Sequence, residues 1–329
     1  SRGKRLITFT DSRQGTARIS AKIQQDSERE SIRGIAYGKS AESIVSIPED
    51  EKLANQEKLS EYEEKVKKYK HMGESDAAKD FEELAGKLAS KLSRLGTSQP
   101  VSWNDSVTTL ESSKDVASWI SDYYCNNVDT ELFSGSGGNR NLAELLLLRE
   151  FARRPKRRNS LETLGLVSVV YPALEQVKKM PDQWVSHNAN LQDWKDFLTV
   201  TLDFYIRENT ILDIPKDWVK WMGAKVYPKT VLKYDSTENT SSTIRKWPLY
   251  HKGRNSRLIR ILEVALNLDL NLSSDQDFVN GVMRQAWEAL TKEYDVVNTT
   301  TGATDKQCVL KAIPGSVQYH LSRHTIALE

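Results

Sequence analysis

Between positions 49 and 95, apolar residues recur every three or four places, and that period limits what the segment can become. Leu59, Tyr62, Val66 and Tyr69 form one stripe, Gly73 interrupts it, and Phe81, Leu84, Leu88, Leu92 and Leu95 resume it. A strand alternates in twos and scatters these side chains over both faces, whereas a helix of about 3.6 residues per turn gathers them on one. The segment is therefore expected to form an antiparallel helical hairpin, with its dense Glu and Lys on a solvated face.

The same logic extends along the chain. Residues 5–9 form a short apolar, partly β-branched run that ends in the helix-capping cluster Thr10-Asp11-Ser12, and helix is expected from Arg13 to about Tyr37. Further helices are expected at 104–124, at 141–152 with Pro155 as a stop, and at 188–209, where Leu191, Trp194, Phe197, Leu198, Leu202, Tyr205 and Ile206 share a face. A loop is expected at 134–139, a turn or short helix at 160–162, and a strand at 166–171. Beyond lie a short helix at 217–222, extended chain at 226–232 and a polar loop at 235–243. Helices at 256–268 and 273–294 precede extended runs at 295–300 and 307–313 around the Thr301-Gly302-Ala303 turn, a winged-helix-like outline. The expected fold is α+β, mainly α with minor β. Its segments are a strand-helix piece (1–45), a charged hairpin (46–98), a helical subdomain with a basic cluster (99–185) and a helical, winged-helix-like subdomain (186–329).

Composition narrows the function. No apolar run approaches the roughly 18 residues that span a bilayer, so no membrane partner is expected. Cys125 and Cys308 stand far apart without a CxxC partner, which points to a reducing, cytoplasmic setting and not to a disulfide framework. With 47 Lys and Arg against 45 Asp and Glu, the net charge of +2 excludes a uniformly basic nucleic-acid coat but allows local patches.

The most specific string is Leu6-Ile7-Thr8-Phe9-Thr10-Asp11-Ser12-Arg13-Gln14-Gly15. A strand that delivers hydroxyls and an arginine onto a fresh helix N-terminus suits a phosphate, because free backbone N–H groups and the helix dipole attract the anion and the guanidinium adds a charged fork. The string resembles motif IV in the second RecA-like lobe of superfamily 2 helicases, and most of all the large bacterial DEAD/DEAH-box type associated with DNA repair and phage defence. A looser resemblance to the same helicases runs through residues 144–155 and 159–167. The resemblance implies that Ser12 and Arg13, with Thr10 and Gln14, face the phosphates of a bound strand, DNA favoured over RNA. No Walker A loop, acidic box or arginine-finger motif is found in the sequence, so ATP and Mg²⁺ are expected to bind elsewhere in a parent protein. On this view the chain is an excised accessory region, without catalytic residues or a cofactor of its own, whose partners are nucleic acid, the remainder of the helicase and partner subunits. A protein-interaction module is the alternative, with the basic clusters incidental to it.

Two basic patches extend the candidate site. Arg149, Arg153, Arg154, Lys156, Arg157 and Arg158 crowd the end of the 141–152 helix, where such charge also complements the helix dipole. Arg245, Lys246, His251, Lys252, Arg254, Arg257 and Arg260 interleave with Trp247 and Tyr250, on which unpaired bases would stack, although Trp247 before Pro248 also suits packing. Gly34-Ile35-Ala36-Tyr37-Gly38-Lys39-Ser40 is one residue short of a P-loop and follows a helix, so its glycines are expected to end that helix. His320 and His324, four apart, lack a third ligand and are not read as a metal site. The tryptophans Trp194, Trp218, Trp221 and Trp287 are expected in the core.

Overall fold

Helical periods dominate the sequence, and helices dominate the computed structural model, which describes residues 13–43, 49–72, 75–93, 99–151, 160–206, 212–222, 228–253, 256–297 and 302–329. The first three elements are α1 (Arg13–Glu42), α2 (Glu49–Met72) and α3 (Ser75–Ser93). α2 and α3 form the expected hairpin: the Phe81 ring stacks on Tyr69 at 5.5 Å and leans on Tyr62 at 6.0 Å, while Lys70 meets Glu82 at 3.1 Å. α1 runs straight through Gly34 and Gly38 to Glu42, so the two glycines do not end it as expected.

The expected helix at 104–124 is broken. Ser102 and Ser113 each turn a side-chain oxygen onto a backbone N–H, of Asp105 and Val116 respectively, and each such cap opens a new helix. After the two-residue strand β1 (Val101–Ser102) come α4 (Trp103–Glu111) and α5 (Lys114–Trp119), then a π-helical turn at Ile120–Tyr124, α6 (Cys125–Asn127) and α7 (Thr130–Phe133). α8 (Gly138–Phe151) opens on a glycine for steric reasons: a Cβ there would sit 2.0 Å from the Phe133 carbonyl oxygen. α8 is buried nearly all round, with Leu142, Leu145, Leu147 and Leu148 each at most 1% exposed and the carboxylates of Glu144 and Glu150 buried among them.

The expected strand at 166–171 shrinks to β2 (Val169–Val170), after which Tyr171-Pro172 starts α9 (Pro172–Glu175). A 3-10 helix at Asp182–His187 leads into α10 (Leu191–Phe204), whose start is fixed by a capping box between Asn190 and Asp193. A second 3-10 helix spans Lys216–Trp221. There follow β3 (Thr230–Leu232), β4 (Ile244–Lys246), α11 (Arg257–Ala265), α12 (Ser273–Thr291), β5 (Glu293–Val297), β6 (Thr304–Cys308), β7 (Leu310–Ala312), β8 (Gln318–Leu321) and β9 (Ala327–Leu328). The two helices and the β5–β6 hairpin follow in the expected order. β7, however, leaves the hairpin for a separate four-stranded sheet, β4-β3-β8-β7, in which β3 and β4 run parallel.

β9 lies between β1 and β2 and is antiparallel to both, pairing Leu328 with Val101 on one side and with Val169 on the other. Just before it, Arg323 holds Glu144 of α8 at 2.7 Å and Asp213 at 3.2 Å, and Trp103 donates to the same Glu144 carboxylate at 3.0 Å. Burial raises the Glu144 pKa, but the Arg323 hydrogen bond and charge, with the Trp103 donor, outweigh it and hold the carboxyl below its ordinary range. One apolar core runs from Ile32 to Leu328, continuous across positions 185 and 186.

Candidate nucleic-acid interface

The string expected to grip phosphate is only partly described. Arg13 and Gln14 stand in the first turn of α1; Thr10, Ser12 and the strand expected at 5–9 fall outside the described residues. Residues 18–27 of α1 are exposed or half-exposed all round, Ile23 at 48%, and burial starts only at Glu28. From there α1 is clamped to α8. Arg29 and Arg33 reach the Glu150 carboxylate at 3.1 and 2.9 Å, and Glu28 accepts from the Tyr124 hydroxyl at 3.0 Å and from Gln24 at 3.1 Å. Glu28, Arg33 and Glu150 are all buried, so each charge is retained by its partners and not by water.

Arg149, the first member of the 149–158 basic patch, belongs to this clamp. It is half-buried and lines a small cavity with Glu28, Arg29 and Glu150. Burial and then the Glu28 carboxylate push the Tyr124 phenol well above its ordinary range, and the Arg149 charge pulls the other way. Arg149 therefore lies in the α1–α8 junction, its Nε buried, and is not an outward cation. Arg153, Arg154, Arg157 and Arg158, with Lys156, fall outside the described residues.

The basic and aromatic run at 245–260 is resolved into two roles. Arg245 and Lys246 are exposed on β4, the edge strand of its sheet, and His251, Lys252, Arg257 and Arg260 are exposed in the turn and helix that follow; Arg254 lies outside the described residues. Trp247 corrects the expectation of a base-stacking platform. It is 2% exposed, donates its indole N–H to the Met283 carbonyl at 2.7 Å, stacks on Tyr205 at 5.5 Å and meets Trp287 edge-on at 5.3 Å. Tyr250 is tied down as well, its backbone N–H to Asn280 at 2.8 Å and its hydroxyl to the Leu270 carbonyl at 3.1 Å. The aromatics anchor the segment to α12, and the described cations before and after them are exposed.

Among the described residues, Arg245, Lys252 and Arg260 take part in no ion pair, in contrast to Arg29, Arg33 and Arg323. Comparison with protein-family models, curated proteins and solved structures finds no match. His320 lies on β8 and His324 in a 3-10 turn, so they share no helical face, and among the described residues no group of three His, Cys, Asp or Glu side chains is placed to hold a metal ion. No described helix is long and apolar enough to cross a membrane. What sequence inspection missed is the outer face of α11, where Ile261 and Val264 are 39% and 81% exposed beside Arg257 and Arg260. The signal was present as a second apolar spacing out of phase with the buried Leu258, Ile259 and Leu262.

Proposed function

We propose that this chain is an accessory region of an ATP-dependent DNA helicase or translocase, holding or guiding a nucleic-acid strand while ATP and Mg²⁺ are handled by other parts of the parent protein. The observation that carries it is the sorting of cations. Arginines at the α1–α8 and β9–α8 junctions are spent on buried carboxylates, while Arg245, Lys252 and Arg260 stand outward on a segment made rigid by buried aromatics. Phosphate binding needs such cations: preorganised, solvated in the free protein and not already neutralised. The motif IV resemblance at Thr10, Ser12, Arg13 and Gln14 adds a second grip at the start of α1. Direct base stacking on Trp247 forms no part of the proposal.

Fluorescence anisotropy with labelled single-stranded DNA, repeated across a salt series, tests it. Binding is expected to weaken steeply with salt, and the Arg245→Ala, Lys252→Ala pair is expected to reduce the log–log slope by about one for each phosphate no longer neutralised. Absence of binding at low salt, or a slope untouched by these substitutions and by Arg13→Ala, would refute it. The chain by itself is expected to hydrolyse no ATP.

A further inference from the structure

β5 pairs with β6 along its whole length, and among the described residues no backbone group pairs with its other edge. That edge borders a cleft of about 860 Å³, of the size that takes small ligands or a short stretch of chain. Glu293, Tyr294 and Asp295, three consecutive residues, all line it. Side chains alternate across a strand, so a strand showing one face to a cavity contributes every second residue; three in a row fit a cavity that meets the strand's edge, within reach of both faces. Residues 176–182, Trp194 and, from α12, Gln285, Glu288 and Ala289 complete the lining.

We propose that this cleft binds an extended peptide of alternating cationic and apolar residues, which adds to β5 as a third strand. Backbone hydrogen bonds to the open edge would supply affinity in any sequence, and the flanking side chains select the occupant. On one face the added strand lies beside Glu293 and Asp295, both exposed, which calls for Lys or Arg at every second position. On the other it lies beside the buried Tyr294, with Trp194 and Met180 in the same lining, which calls for apolar residues between them. A second copy of the chain is a poor occupant, since its own β5 would bring like carboxylates together. Nucleic acid is disfavoured too, because the lining sets the carboxylates of Asp182, Glu288, Glu293 and Asp295 against Lys178, Lys179 and Lys292, and Lys292 already lies 5.8 Å from the Tyr294 ring. This site is separate from the outward cations at 245–260 and does not depend on the nucleic-acid proposal.

The test uses the full chain and a short fluorescein-labelled peptide of alternating lysine and valine, read by anisotropy and by amide hydrogen exchange. Saturable binding with slowed exchange at residues 293–297 is expected. Replacing the peptide's lysines by glutamates, or introducing Glu293→Lys together with Asp295→Lys, is expected to weaken binding at least about tenfold. The proposal falls if the peptide does not bind, if bound peptide leaves β5 exchange unchanged in the unaltered chain, or if single-stranded DNA displaces it competitively.

Discussion

Trp247 shows how one side chain can be misassigned when its neighbours are basic. In sequence it sits between Lys246 and a run ending at Arg260, the composition of a stacking platform. Its direction is instead decided by the Met283 carbonyl on α12 and by Tyr205 on the far side, partners that no local pattern names. Trp247→Ala is expected to cost about 3–5 kcal/mol in urea unfolding, because the ring leaves a void against Tyr205 and Trp287 and its hydrogen bond to the Met283 carbonyl is lost. Trp247→Phe should cost less, since most of the ring is kept. His320 makes a second residue-scale prediction. Burial, with Lys311 and Arg323 nearby, lowers its pKa against the opposing pull of Asp213. The unfolded chain then takes up the proton first as pH falls below about 6.5, so this contribution to stability is full above that pH and is lost toward the lower folded value. Chemical denaturation between pH 7.5 and 5 should show the decline, to which His324, its pKa also lowered by burial, contributes, and His320→Gln should reduce it. The Glu144 carboxyl, whose pKa is also lowered, acts in a separate window below about pH 4.5.

At the scale of elements, long amphipathic patterns proved legible and short ones did not. The α2–α3 hairpin, α10 and α12 follow their apolar periods because many residues vote together. The 104–124 region fails as one helix because Ser113, with the Val116 N–H within reach, opens a new helix inside it, and a π-helical turn follows at Ile120–Tyr124. Strands of two or three residues, such as β1, β2 and β9, carry almost no local signal, since each exists only by virtue of a distant partner. Of the interface, cation positions were readable, but their sorting into outward groups and internal counter-charges was not, because it depends on which carboxylates the fold brings near. Gly34 and Gly38, inside α1, supply the prediction for this scale. A Cβ at either meets nothing within 4 Å, and neither has a positive φ, so no steric need for glycine is apparent. Gly34→Ala and Gly38→Ala should each raise stability by about 0.5–1 kcal/mol, measured as a shift in the unfolding midpoint. A loss of stability in either would mean that α1 bends or repacks there.

At the scale of the whole molecule, the junction between α8 and the residues around Arg323 joins regions that sequence alone divides at 185. Arg323→Ala leaves Glu144 and Asp213 without their guanidinium partner, and removing one member of so enclosed a network is expected to cost about 3–5 kcal/mol. Because the core is continuous, unfolding followed by tryptophan fluorescence and by Cys308 thiol reactivity should give coincident transitions; two separated transitions would show that the regions melt independently. The position of β9 carries a further consequence for biosynthesis. β1 and β2 leave the ribosome long before the strand that must slot between them, and they do not pair with each other. Until that strand arrives, both present open backbone to water, to other chains or to a chaperone, and a product cut short before Ala327 would keep that adhesive gap permanently.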